Sequence, residues 1–147
     1  MNRVHLTSKP FTGFLGDIIP QKVAMKPKGL WYSVGDEWEE WCKSEMPHCV
    51  HKHKYSLEID TKKLLILTNE NVQDFSRNNN VPLSGMGAYD MGYQLDWPRI
   101  AKTYYGVEVS EYSHELHFNF DMMWYNAWDV ASGCVWDSRA LKGFKKL

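Results

Sequence analysis

Three short runs constrain this chain more than any other feature: Val4-His5-Leu6-Thr7-Ser8, Gly29-Leu30-Trp31-Tyr32-Ser33 and Ser132-Gly133-Cys134-Val135-Trp136. Each is strand-like, and each sets a polar or aromatic residue among apolar neighbours. Although far apart in sequence, they look like parts of one buried site built from the two ends of the chain.

Tryptophan makes that reading worth pursuing, because seven of the 147 residues are Trp and 14% are aromatic. Two uses compete. Aromatic side chains bury large areas and stabilise a core, or they form a stacking surface for a flat ligand such as a base or nicotinamide. The length suits one domain, residues 1–147, around one core.

Charge narrows the partners. With 17 basic and 18 acidic side chains the net charge is −1, so no whole-surface field holds the chain to DNA. A nucleic acid reached through a local patch stays open. No stretch approaches the roughly 18 apolar residues of a membrane helix, and Met1-Asn2-Arg3-Val4-His5 has no apolar leader core. Three cysteines, Cys42, Cys49 and Cys134, show no repeated spacing, which points to reduced thiols and a cytoplasmic setting.

Periodicity predicts an α+β domain of several short strands and about three helices. Asp36 is placed to cap a helix over residues 37–45, in which Trp38, Trp41 and Cys42 share one face. Residues 55–59 alternate as a strand, and residues 63–68 form a more buried strand or the second arm of a hairpin. Asn69 is placed to cap a short helix to about Arg77, with Val72 and Phe75 inward. Asp96 is placed to cap another, with Pro98 in its first turn. Residues 107–109 read as a strand, residues 116–120 as another, and everything after Trp136 as a polar tail. The glycine-rich residues 84–92 read as a loop.

Cys42, His48, Cys49, His51 and His53 crowd one segment without the second ligand pair that zinc sites use, so a solvated loop is the plainer reading and no metal is assigned. Cys134 with His114 or His117 lacks any nucleophile signature, and Cys134 reads as a small core residue. There is no phosphate-binding Gly-Lys-Ser/Thr loop.

In order along the chain, these elements resemble the His-type ADP-ribosyltransferases, the branch of the poly-ADP-ribose polymerases and diphtheria toxin. Val4-His5-Leu6-Thr7 looks like that family's first motif, and Gly29-Leu30-Trp31-Tyr32-Ser33 like its second. Ser132-Gly133-Cys134-Val135-Trp136 falls where the third should be. The resemblance implies a split β-sheet core, NAD as substrate, and transfer of ADP-ribose to a protein or nucleic-acid target. It implies that His5, with the Leu6-Thr7 backbone, holds the ribose and amide of NAD. Trp31 or Tyr32, with Ser33 and Trp38 beside them, would line the nicotinamide site.

The chain departs from the family twice. Trp31 stands at the usual Tyr position, and Ser132 stands where a Glu is usual, with Asp129 three residues earlier. NAD cleavage develops positive charge that a carboxylate stabilises, so Asp129 or Ser132 would have to act at the ribose. The alternative is an inactive nucleotide-, nucleic-acid- or protein-binding module on the same scaffold, an inhibitor among them. Alternation along a strand also sets a test: Trp31 and Tyr32 face opposite ways, and only one can line a given pocket.

Overall fold

The computed structural model describes residues 2–14, 16–46, 51–81 and 94–147. Its elements follow the apolar pattern. Strands β1 (Arg3–Thr7), β2 (Leu30–Val34), β3 (His53–Ile59), β4 (Leu64–Leu67), β7 (Gly106–Val109), β8 (Ser132–Val135) and β9 (Leu141–Lys146) form one continuous sheet, in the order β4-β7-β8-β2-β1-β3-β9. Only β4 and β7 are parallel neighbours. Strands β5 (Asn80–Val81) and β6 (Gln94–Leu95) pair separately. Helices α1 (Glu37–Glu45), α2 (Val72–Asn79) and α3 (Trp97–Ile100) complete an α+β single domain.

Register assigns each side chain a face. Tyr32 pairs with Gly133 and Gly133 with Glu108, so all three point one way. Their neighbours Trp31, Cys134 and Val107 point the other way. On the first face, Leu30, Tyr32, Val34, Tyr55, Leu57, Leu64 and Val135 form one apolar cluster. Leu57 on β3 and Leu64 on β4 lie five places apart in the sheet yet share that cluster. Only Asp60 to Lys63 connect those strands, so the sheet curls over this face and nearly closes it. The second face carries the helices. Trp97, Trp124 and Trp136 are fully buried there beside Val72, Ile100, Val107 and Val109.

Several expectations need correction. Residues 64–67 are no hairpin arm: β4 crosses to the far edge and runs parallel to β7. Residues 116–120 are not a strand but fall in two 3-10 helices, His114–Phe118 and Phe120–Ala127, whose backbone bonds close locally: the Leu116 N–H meets the Ser113 carbonyl at 3.3 Å and the Asn119 N–H the Leu116 carbonyl at 3.2 Å. The polar tail is the edge strand β9, paired with β3 through an irregularity at Glu58/Ile59 that blurs its alternation. Asn71, not Asn69, takes the N-cap position of α2. Asp96 does cap α3, accepting the Arg99 N–H at 3.2 Å, but that helix lasts a single turn. Asp36 holds the N-cap position of α1, though its side chain makes no capping bond.

Candidate functional site

The closed face contains an ion-pair network. Arg3 on β1 reaches Glu108 on β7 with Nε at 2.6 Å and a second guanidinium nitrogen at 3.1 Å. Tyr32 donates its hydroxyl to the same carboxylate at 2.8 Å, and Ser110 donates at 2.9 Å. Tyr32 can cross β8 only because Gly133 has no side chain, since a Cβ there would overlap the phenol ring. Burial alone would raise the Glu108 carboxyl, but its hydrogen bonds from Arg3, Tyr32 and Ser110 outweigh that and hold it below the ordinary carboxylate range. Burial pushes the Tyr32 phenol up, so it remains a donor. Every polar atom of Glu108 is engaged by the protein, and no charge is left over for a ligand.

His5 belongs to this side. Its Nδ1–H donates to the Trp31 carbonyl at 2.7 Å, and its ring packs edge-on against Phe11 with centroids 5.0 Å apart. Burial depresses the imidazole below the usual histidine value, opposed by that hydrogen bond, so the ring is held neutral.

The helical face carries a concave site lined mostly by tryptophan, smaller than two other hollows among the described residues. A cavity of about 140 Å³ is lined by Trp31 from β2, by Trp38 and Trp41 from α1, and by Trp128 before β8. Asp129, Val130, Ser132 and Lys26 complete its wall. Sequence places these residues for identifiable reasons. Trp38 and Trp41, three apart on a helix, share a face. Two ties hold α1 over the sheet: Glu37 accepts the Ala131 N–H at 3.1 Å, and Lys54 on β3 meets Glu39 at 2.6 Å. Trp31 stacks edge-to-face on Trp128, with centroids 4.9 Å apart.

Asp129 sits in a turn of unusual hand. Its φ is +63°, and the Val130 N–H reaches the Trp128 carbonyl at 2.7 Å. That closes a three-residue turn of the rare positive-φ kind, a strained conformation for a residue other than Gly. Lys26 arrives from a fastened loop. Gln21 bonds the Lys28 carbonyl at 2.7 Å and the Lys28 N–H at 2.9 Å, while Ala24 bridges to Leu95. The Lys26 ammonium lies over the Trp31 ring, 5.2 Å from its centroid. Lys26 is an exposed residue, but its ammonium end is crowded. Burial of that end lowers its pKa, and the Asp129 carboxylate partly offsets the effect.

Indole hydrogen bonding divides the tryptophans. Trp97 donates to the Ala24 carbonyl, Trp124 to Ser76 and Trp136 to the Tyr104 carbonyl, at 3.0, 2.8 and 2.8 Å. Trp128 is 3% exposed, yet its indole N–H has no partner among the described residues. Among the described residues, the one buried indole donor without an acceptor thus belongs to a residue of the pocket wall.

Of the residues singled out in the sequence, Trp31, Trp38, Asp129 and Ser132 do meet in one pocket. His5 and Tyr32 lie across the sheet from it, so the three opening runs contribute to two faces rather than one site. The Ser132 hydroxyl is turned to the Val130 carbonyl at 3.0 Å, and Ser33 is buried with its hydroxyl on the Gly35 carbonyl at 3.0 Å. Leu6 is half-buried on β1, and the Thr7 hydroxyl accepts the Lys9 N–H at 3.2 Å. Cys134 is fully buried opposite Trp31 on the neighbouring strand, where burial drives its thiol pKa well up and keeps it protonated. His48, Cys49 and the 84–92 loop lie outside the described residues, and no three potential metal ligands converge among the rest.

Lys26, Trp41 and Trp128 are missed by sequence reasoning, as is Glu108 on the other face. Two signals pointed at them: Trp41 is one helical turn from Trp38, and Trp128 adjoins Asp129. Among the described residues, no helix is long and apolar enough to cross a membrane. In comparisons with known proteins, no family model matches the chain, and neither a curated protein nor a solved structure shows a significant likeness to it.

Proposed function

We propose that this protein is a non-catalytic binding module that receives one small head group in the tryptophan pocket. The observation that carries the reading is the convergence of four indoles from separate segments, with one carboxylate, on a single cavity. Size supports it. About 140 Å³ is room for a single head group, whereas pockets that engulf whole drug-sized ligands run from about 300 to 1,000 Å³. On the other face, His5 is neutral and committed to the Trp31 carbonyl, and Glu108 is fully engaged by the protein.

ADP-ribosyl transfer in the cytoplasm is the second reading, favoured by one observation: stacking candidates Trp31 and Trp38 share the cavity with Asp129 and Ser132. NAD would then place its nicotinamide among the indoles. His5 would have no part in that pocket, and the continuous sheet would have to be a variant of the family's split core.

One titration separates the two. Nicotinamide, NAD and small ammonium salts are added while indole fluorescence is followed, with nicotinamide release assayed in parallel. Saturable quenching that disappears in Trp41→Ala, without nicotinamide release, supports the module. Nicotinamide release overturns it in favour of the transferase, and the absence of saturation by every head group reduces the pocket to a packing hollow.

A further inference from the structure

Resting on the binding-module reading, we infer that the ligand of the tryptophan pocket is a methylated ammonium group, and that Lys26 is a built-in competitor which this group displaces. Three observations lead there. First, the wall is mostly indole, the aromatic ring whose face attracts cations best, and Asp129 supplies a negative charge at the rim. Second, the chain already parks a cation on that wall: the Lys26 ammonium lies 5.2 Å from the centre of the Trp31 ring. A site that holds a lysine ammonium has the electrostatics for an ammonium ligand.

Lys26 is nevertheless a poor occupant. Crowding of its end costs hydration, as its lowered pKa records, and among the described residues no carboxylate hydrogen-bonds this three-donor ammonium to compensate. A methylated ammonium is more weakly hydrated and spreads its charge over carbon, so it gives up less on entering. Lys26 is an exposed residue on a surface loop, and its side chain can swing to water while the loop stays fastened by Gln21.

Third, the buried Trp128 indole N–H has no acceptor among the described residues. A buried donor without a partner is costly, and because this nitrogen is closed off in the unliganded protein, a ligand acceptor would reach it only as the wall gives way around the entering group. The chemistry that would use it is a cation with a hydrogen-bond acceptor a few bonds away. Free choline-like molecules carry that pair, and so does a trimethylated lysine, whose neighbouring backbone carbonyls are acceptors.

The test is a calorimetric titration of the whole chain with choline, with tetramethylammonium, with 3,3-dimethyl-1-butanol (the uncharged carbon copy of choline) and with a trimethyl-lysine peptide. Choline or the peptide should bind, whichever is tighter naming the source, and the uncharged copy should be at least about tenfold weaker. Tetramethylammonium, which offers no acceptor, should fall between. Lys26→Gln should tighten choline about two- to fivefold by removing the competitor. Asp129→Asn, which keeps a residue tolerant of positive φ, should weaken it several-fold. Equal binding of choline and its uncharged copy, or weaker binding in Lys26→Gln, overturns the inference. If nicotinamide or NAD binds and no ammonium does, the inference fails while the pocket reading stands. If nothing binds, both fail.

Discussion

The two faces of the sheet hold the same kinds of residue and treat them in opposite ways. On the closed face, Glu108, Arg3, Tyr32 and Ser110 satisfy one another within hydrogen-bonding distance. On the helical face, Asp129 and Lys26 line a cavity without such hydrogen bonds between them among the described residues: Asp129 is strained, Lys26 is crowded, and the buried Trp128 indole N–H behind them has no acceptor there. The first arrangement fixes the sheet. The second leaves interactions unmade, which is the property that the proposed binding reading rests on.

The contrast breaks most violently at Arg3. Arg3→Met leaves Glu108 buried and charged without its cation, which costs about 3–5 kcal/mol, towards the lower end because Arg3 itself is 19% exposed. Urea unfolding measures it, and the folded fraction should keep its pocket. Acid attacks the same network. The Glu108 carboxyl is depressed in the folded protein, so its contribution is present above the ordinary carboxylate pKa and is lost as pH falls through the lower folded value. His5, also depressed, adds an earlier loss, because an unfolded chain protonates it from about pH 6.5 downwards. Thermal unfolding from pH 8 to pH 3 should decline in two stages, and His5→Gln should abolish the first.

Gly133→Ala comes next. The new methyl meets the Tyr32 ring, and overpacking of this kind costs about 1–3 kcal/mol. The same substitution made on a Tyr32→Ala background should cost far less, and a double-mutant cycle by urea unfolding reads that coupling directly. A smaller difference separates tryptophans of similar burial. Trp136→Phe removes a hydrogen bond and leaves the Tyr104 carbonyl unpaired, whereas Trp128→Phe removes a donor that had no partner. Trp136→Phe should be the more destabilising by about 1 kcal/mol, and equal values in urea would erase the distinction. The smallest effect has the opposite sign. Asp129→Gly relieves the positive φ and should raise stability by up to about 1 kcal/mol, while ligand affinity falls.

Local patterns foretell much of this frame. Alternation in Arg3–Thr7 and Leu30–Val34 suffices for two strands, and Asp96 with Pro98 for the start of α3. Alternation even announces that Trp31 and Tyr32 must part company, and they do. What local pattern lacks is the order of strands. Whether His5 sits beside Trp31 or behind it depends on β3 and β8 flanking the first two strands, a fact of long-range pairing. Glu108, set between Val107 and Val109, is silent in sequence because its partners are distant. Strand β9 hides among lysines for the reason that edge strands commonly do: charge there deters unwanted pairing.

Arg3 and Glu108 are separated by 105 residues of chain. At ribosomal rates of about 5–20 residues per second, the arginine emerges roughly 5–20 s before the carboxylate it will grip. Strand β2 waits about as long for β8, and β4 leaves β3 through a four-residue link towards a neighbour not yet made. During that interval the nascent chain holds an unanswered cation and bare strand edges. Strands β1, β2 and β3 can pair among themselves early, but the curled sheet closes only after β7, β8 and β9 have followed.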